Sequence, residues 1–489
     1  MLMRTEVISL KHLPTQEDFF YDKSRLSAYV GGIGTGKTYV ASDKLLATII
    51  RYPLARYFIL SNTFAQLKSG TMMTFFARCR HWGFEYVDRI REKYVIVQKW
   101  VGPQLIRAKI ECWTADDYEL FRSLEVDFAW LDEGHVWPKM AFLTILGRLR
   151  GYEGTRDVYG DIGQQLWVTA NPPHTTDHWL VDFTTKPPNE ADDELMALVG
   201  AIEQECTESS EAAPPMKLFT SSTFDNPFLS KAYIRTLLET MDPELVDIEL
   251  KGNFGDIGKG KIWRSFSRGR HIVDASKARD YGIPALEWDP NSEVCWSQDF
   301  NIDPLCTIIF QWRRVKVAGF QAVVMYVLDE MRIRDARIEH AAQEFGNRVL
   351  PLQIARRNGL VLYGDPSGDQ RSRQTGESDW IALRKGLLSY GLSISRRIPP
   401  AAPLRRNRYN ATNAKLVNGL GEIGVVIHPR CKYLAIDLNS QFYKPGTSDP
   451  LVKKAEDGAT NTHFGDAFSY PIAEDFPVAA PAQGADPRR

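Results

Sequence analysis

The 489 residues exceed what one core normally organises. With 44% hydrophobic and 25% charged residues, 35 Gly and 27 Pro, they exclude a disordered or collagen-like chain and indicate a soluble protein of several domains. Lys and Arg number 60 against 61 Asp and Glu, which excludes a chain-wide polyanion-binding surface but leaves room for a local basic groove. The six cysteines (Cys79, Cys112, Cys206, Cys295, Cys306, Cys431) contain no CxxC pair, so neither a disulfide scaffold nor a zinc ribbon is expected, and a reducing compartment fits. No apolar run approaches the roughly 20 residues that span a bilayer. The opening MLMRTEVISLKHLPTQ lacks the apolar core of a signal peptide, so the expectation is a soluble, intracellular, non-secreted protein.

In chain order, LSAYV (26–30) reads as a short buried strand before a glycine loop, and 37–50 as a helix stopped before Pro53. Residues 56–60 are strand-like, and 63–82 mostly helical. Residues 94–100 and 106–114 are β-rich runs around a Gly-Pro turn, which predicts a hairpin. Short apolar strands follow at 128–131 and 166–169. Repeated βα units of this kind predict a parallel sheet with helices on both faces. Residues 186–215 are acidic and contain Pro, as a mobile insertion or lid would be. A helical stretch at 227–250 and the passage KGNFGDIGKGKIW, a candidate hinge, come next. Residues 294–300, 307–312 and 322–330 predict an antiparallel meander, 338–358 a long helix, and LVLYGD a further strand. Three strands, a helix and a strand is the order of a ribonuclease-H-like fold. The end, FPVAAPAQGADPRR, has the composition of a disordered tail. The expected division is an α/β core at 1–171, a lid or linker at 172–260, a ribonuclease-H-like domain at 261–473 and a tail at 474–489.

GGIGTGKT (31–38) matches the phosphate-loop pattern GxxxxGK[ST] completely. Backbone N–H groups of a loop built on Gly31, Gly34 and Gly36 would cradle phosphates, Lys37 would reach the terminal ones, and the Thr38 hydroxyl would hold Mg²⁺. In VDFAWLDEGH an apolar strand ends in Asp132, placed for Mg²⁺, and Glu133, placed to polarise the attacking water. LWVTANPP carries a strand into Thr169 and Asn171, which could sense the γ-phosphate. Gln16, ahead of the first strand, is a candidate to read adenine. Arg148 and Arg150, in ILGRLRGY, are candidates for an arginine finger in cis or in trans.

Asp299 lies in the strand VCWSQDF, Asp365 ends LVLYGD, and Asp466 lies in NTHFGDAFSY at the start of a helix. Two strand-end carboxylates and one helical carboxylate can converge into an all-oxygen site for Mg²⁺ or Mn²⁺, two ions of which clamp both oxygens of a phosphodiester under cleavage. Asp303 is a possible fourth ligand, and His463 could orient an aspartate or a phosphate. Arg396, Arg397, Arg405, Arg406 and Arg408, and separately Arg264, Arg268 and Arg270, form local basic clusters suited to phosphate contacts.

The order of these motifs — a Gln-containing start, the phosphate loop, an hhhhDE strand, a TANP strand end, DNP, GNFG, then the three carboxylates — resembles the large terminase subunit of tailed bacteriophages across about residues 10–473. The resemblance implies an ATPase that drives double-stranded DNA through a portal into a procapsid, and a nuclease that cuts concatemeric DNA. It implies a homo-oligomeric ring docked on the portal protein, a small terminase subunit as helper, no membrane partner, and action in the cytoplasm of the infected host cell. Carried over, Lys37, Thr38, Asp132 and Glu133 match the ATPase motifs, and Asp299, Asp365 and Asp466 the nuclease triad. One position departs: many members have an arginine in the loop where Ile33 stands. The competing readings are a helicase or repair translocase whose second domain grips nucleic acid without cutting it, and a second half that is only a scaffold.

Overall fold

The computed structural model describes residues 9–160, 162–186, 215–257, 260–300, 304–334, 338–370, 376–444, 449–451 and 463–477. Asp303, Cys206, most of the acidic 186–215 stretch and nearly all of the Pro/Ala-rich end lie outside them. Among the described residues the chain forms two compact units, one running to Ser230 and including Asp247–Asp256, the other comprising Lys231–Val246 and those from Ile257 onward.

Among the described residues the first unit carries strands β1 (Leu26–Gly31), β2 (Tyr57–Ser61), β3 (Glu85–Arg89), β4 (Tyr94–Val101), β5 (Gln104–Thr114), β6 (Phe128–Asp132), β7 (Gln165–Ala170) and β8 (Lys217–Ser221). They form one sheet in the order β3-β4-β5-β2-β6-β7-β1-β8. It is parallel from β5 through β8, with the β3-β4-β5 end antiparallel. β1, β2 and β6 are buried along their whole length, because helices cover both faces of the parallel part. The two-residue strand period sorts their side chains. Tyr29, Ile59, Trp130 and Trp167 pack on Val40, Leu45 and Ile49 of the helix Lys37–Arg51, while Val30, Leu60, Leu131 and Val168 pack on Phe142 and Trp179 on the other face.

Three elements differ from expectation here. β8, inside the segment expected to be a lid, pairs in parallel with β1 over Ser27↔Lys217 to Gly31↔Ser221, so 172–260 is not one body: it is divided between the two units. The helix expected at 63–82 contains a π-helical turn at Leu67–Thr71, around Ser69-Gly70, between Phe64–Gln66 and Met72–His81. β3 escaped prediction because an exposed edge strand reading EYVDR has no apolar alternation.

The second unit carries β9 (Val294–Asp299), β10 (Leu305–Arg314), β11 (Phe320–Ile333), β12 (Leu360–Gly364), β13 (Ile394–Arg396) and β14 (Ile423–Ile427), ordered β13-β12-β9-β10-β11-β14. β9, β10 and β11 form the expected antiparallel meander, and β12 runs parallel to β9. The single helix expected at 338–358 is two, Ile338–Asn347 and Val349–Asn358, because Pro351 has no N–H to donate and its ring would clash with the preceding turn. The 227–250 helix is likewise broken into Lys231–Thr240 and Pro243–Glu249 by Pro243. Pro471, inside the helix His463–Asp475, frees the carbonyl of Ala467, and the Ser297 hydroxyl of β9 donates to it at 2.6 Å. A break in helical bonding thus fastens this helix to the sheet.

No helix among the described residues is long and apolar enough to cross a membrane. The described cysteines are free and buried.

Lys44 is nearly fully buried, donating to the carbonyls of Phe19 and Asp22 at 2.8 and 2.7 Å. Burial lowers its pKa to about 7, against the pull of Asp22. The unfolded chain therefore holds more protons than the folded one above pH 7, and this group makes stability rise with pH, by at most about 1.4 kcal/mol per pH unit. Urea unfolding between pH 7 and 8.5 should show wild type gaining stability relative to Lys44→Met; parallel pH dependences would contradict it.

Candidate functional site

In the first unit the phosphate loop joins the buried β1 to the helix Lys37–Arg51. Gly34 and Gly36 stand at φ 77° and 75°, a region that penalises a Cβ. At Gly36 a Cβ would also lie 2.5 Å from the amide nitrogen of Gln16. That amide donates to the Thr35 carbonyl at 2.7 Å, and its oxygen accepts the Leu13 N–H at 2.9 Å. Gln16 is buried under the loop with both ends bonded to backbone, so it pins the loop rather than standing open to read adenine. Lys37 donates to the carbonyls of Gly31 and Gly32, each at 2.9 Å. Burial lowers its pKa, opposed by the charges of Glu133, Glu249 and Asp132.

The parallel register brings Asp132, at the end of β6, beside the loop. The Thr38 hydroxyl lies 3.3 and 3.4 Å from its two oxygens, while Thr71 and Thr169 each donate to it at 2.7 Å. Thr169, read as a phosphate sensor, is fully buried and orients this carboxylate instead. Burial, then the charge of Glu133, pushes Asp132 up to about 6 against those hydrogen bonds. A hydroxyl beside a crowded carboxylate suits Mg²⁺, whose charge relieves the crowding. Glu133 sits at φ 56°, unusual for a side chain with a Cβ, and burial raises its pKa against the pull of Lys37. The Asn171 amide donates to Glu249 Oε2 at 2.9 Å, and His174 Nε2 lies 2.5 Å from Glu249 Oε1.

Arg148 and Arg150 are not at this site. The Val126 N–H donates to the Arg148 carbonyl at 3.1 Å, and Arg25 donates to the Leu149 carbonyl at 3.0 Å. Val126 and Arg25 precede β6 and β1, so both candidates lie at the N-terminal rim of the parallel strands, whereas the loop and Asp132 lie at the C-terminal rim. The extended chain from Val126 to Asp132 spans about 20 Å. A finger role in cis is thereby corrected. Arg150 makes an exposed pair with Glu125 at 3.2 Å. Arg150→Ala should leave ATP turnover by the dilute chain unchanged and shift stability by under about 0.5 kcal/mol. A clear loss of turnover under those conditions would restore the cis finger.

In the second unit, the parallel pairing Gly364↔Gln298 puts Asp365 and Asp299 at one end of neighbouring strands, about 4.8 Å apart along the hydrogen-bonding direction. Asp466 comes from the helix His463–Asp475. Tyr470, one turn on, donates to Asp365 Oδ2 at 2.9 Å, and burial and then the charges of Asp466, Asp299 and Asp365 raise its pKa against Arg408. Asp365 is therefore bonded to this phenol, and the charges of Asp299 and Asp466 also act on it. Each is already partnered: Asp299 by His463 at 3.1 Å, Asp365 by the Ser367 N–H at 2.8 Å as well as Tyr470, and Asp466 by Arg408 at 2.5 Å. Burial pushes Asp466 up to about 6 against Arg408, with Asp299 adding to the rise. The donors are hard oxygens, as Mg²⁺ or Mn²⁺ prefers, but among the described residues no three His, Cys, Asp or Glu side chains form a ready metal cluster.

The basic clusters are largely engaged within the second unit. Arg264 and Arg408 are buried against Asp242 and Asp466. Arg396, Arg397 and Arg405 make more exposed pairs with Asp369, Asp475 and Asp449, of the kind that contributes little and can exchange for a phosphate.

Residues 23–253 match the family model of the phage terminase large subunit. This segment is a phage large-terminase domain. In fold the chain is similar to the large terminase of a thermophilic bacteriophage, with a TM-score of 0.51 and 14% identity, covering 95% of this chain and 99% of that one. The ADP complex of that terminase gives 0.49 at 14% identity with the same coverage, and the large terminase of bacteriophage HK97 gives 0.30 at 12% identity over 95% of each chain. The comparison with curated proteins gives no match.

The fold also brings to this site residues that carry no sequence signal. Thr71, at the end of the π-helical turn, reaches Asp132 at 2.7 Å. Glu249 ends a short helix in an ordinary charged stretch, DIELKGN, and nothing local distinguishes it.

Proposed function

We propose that the chain is the motor subunit of a phage DNA-packaging machine. In this reading ATP hydrolysis at the phosphate loop drives double-stranded DNA into a procapsid, and a metal-dependent endonuclease in the second unit cuts concatemeric DNA. The observation that carries it is the Thr38–Asp132–Glu133 arrangement against the phosphate loop of a large-terminase domain. Lys37 and backbone N–H groups of the loop would hold the phosphates, and Thr38 and Asp132 would hold Mg²⁺, which supplies charge neutralisation for phosphoryl transfer. Glu133 is the group placed to orient and deprotonate water.

In the second unit Asp299, Asp365 and Asp466 would hold Mg²⁺ or Mn²⁺, two ions of which supply charge compensation for the oxygens of the phosphodiester. The neighbouring strand ends that carry Asp299 and Asp365, and the charge of all three acting on Tyr470, support this. The proposed partners are double-stranded DNA, the portal protein, a small terminase subunit and further copies in a ring. With Arg148 and Arg150 at the far rim, either could serve as a finger only toward a neighbouring subunit.

A second reading, a translocase whose second unit grips DNA without cutting it, is favoured by one observation: each of the three carboxylates already has a protein partner. The deciding experiment gives the full chain ATP, Mg²⁺ or Mn²⁺ and plasmid DNA, and follows hydrolysis and cutting separately in wild type, Lys37→Ala and Asp365→Asn. Loss of one activity in each variant supports the packaging motor. Hydrolysis without any metal-dependent cutting by wild type supports the second reading.

A further inference from the structure

We infer that Glu249 is a positioning residue for ATP hydrolysis, coupling the phosphate loop to the end of β7; the inference rests on the nucleotide-site reading above. Three lines of contact meet at this one residue. Its main-chain carbonyl accepts the N–H of Ile33 at 2.7 Å, which fixes the first part of the phosphate loop. Its carboxylate accepts from Asn171 at 2.9 Å through one oxygen and meets His174 at 2.5 Å through the other. Its charge acts on both Lys37 and Glu133.

Asn171 directly follows β7, and β7 carries the Thr169 hydroxyl that holds Asp132 at 2.7 Å. Glu249 therefore closes a circuit: loop backbone at Ile33, Glu249, Asn171, β7, Thr169, Asp132, and back to the loop at Thr38. A displacement of the loop at Ile33 has to move Glu249, and with it Asn171 and His174. The carboxylate is only 15% exposed and each oxygen already meets a donor, so it is placed to orient neighbours rather than to take a proton from water. That role falls to Glu133, which follows Asp132 directly. Glu249 is fixed by two bonds at its head and one at its backbone, the condition for holding a neighbouring catalytic group in one geometry.

The test uses the full chain with Glu249→Gln, Asn171→Ala, the double variant and Lys37→Ala. It measures kcat and KM for ATP with Mg²⁺, the affinity for ADP, and the melting temperature. Glu249→Gln keeps the shape and one oxygen able to accept from Asn171, but loses the charge and the second acceptor. The expected result is a fall in kcat of about 100-fold, with KM and ADP affinity within about threefold and an unchanged melting temperature. Asn171→Ala should lose a comparable factor, and the double variant no more than either single one, because the two act as a unit. Wild-type kcat in Glu249→Gln overturns the proposal. So does a parallel fall of kcat, ADP affinity and melting temperature, which would make Glu249 a structural tie. Multiplying losses in the double variant would likewise remove the coupling through Asn171. If wild type hydrolyses no ATP, or Lys37→Ala hydrolyses it normally, the nucleotide-site reading itself has failed, a result separate from all of these.

Discussion

Lys37→Ala is expected to lower ATP turnover by the full chain about 10³-fold or more, the largest single effect predicted for this protein. The ammonium is buried among Glu133, Glu249 and Asp132, whose charges all act on it. Removing it leaves three carboxylates facing an incoming triphosphate with less positive charge to offset them, so binding and turnover should fall together. The fold should survive. The lysine's two acceptors are the loop carbonyls of Gly31 and Gly32, and leaving them unpaired costs a local amount of about 1–3 kcal/mol. Steady-state hydrolysis, ADP binding and circular dichroism on the same preparation would check all three points. Turnover within tenfold of wild type would mean that the phosphate loop is not the hydrolytic site.

Asp365→Asn is expected to reduce metal-dependent DNA cutting about 100-fold or more, while ATP hydrolysis stays at the wild-type rate. Asn is a sharper probe than Ala here. Asp365 caps the following turn by accepting the Ser367 N–H at 2.8 Å, and an asparagine oxygen can keep that bond. The Tyr470 hydroxyl, now donating to the other oxygen, can accept from the new amide instead. What disappears is the negative charge, the property a divalent cation needs. Plasmid conversion would be followed with Mg²⁺, Mn²⁺ and EDTA. Cutting by the variant at the wild-type rate would remove Asp365 from the nuclease assignment. Equal loss of ATP hydrolysis would instead indicate a damaged chain.

The motifs of the candidate nucleotide site were legible in the sequence because each of them is a contiguous run. GGIGTGKT specifies a turn whose glycines adopt φ values that other residues resist, and the apolar run FAWLD specifies a buried parallel strand ending in a carboxylate. The ribonuclease-H-like strand order was legible for a similar reason: runs of apolar residues separated by short connections leave few ways to pair. Breaks caused by Pro243 and Pro351 were written in the sequence too, but the periodicity of the flanking apolar residues concealed them.

Gln16, Thr169 and the arginines show where that reading stopped. Each residue type suited the role assigned to it, and geometry reassigned it. Gln16 lies under the loop because its helix packs against Lys37–Arg51. Thr169 points at Asp132 because β7 pairs with β6 in the register Asp132↔Thr169. Arg148 and Arg150 fall at the wrong rim because the chain after Glu133 runs back along the sheet before β7 begins.

The sequence by itself determined the phosphate loop, the acidic strand end and the three separated aspartates, since backbone conformation and strand burial are encoded by neighbouring residues. Only the tertiary structure decided that Thr71 and Thr169 bond Asp132, that Glu249 meets Ile33 and Asn171, and that Tyr470 and Arg408 bond Asp365 and Asp466. Hydrogen bonds and charges act over a few ångströms of space whatever the separation along the chain, and strand register, crossover direction and helix packing set those distances.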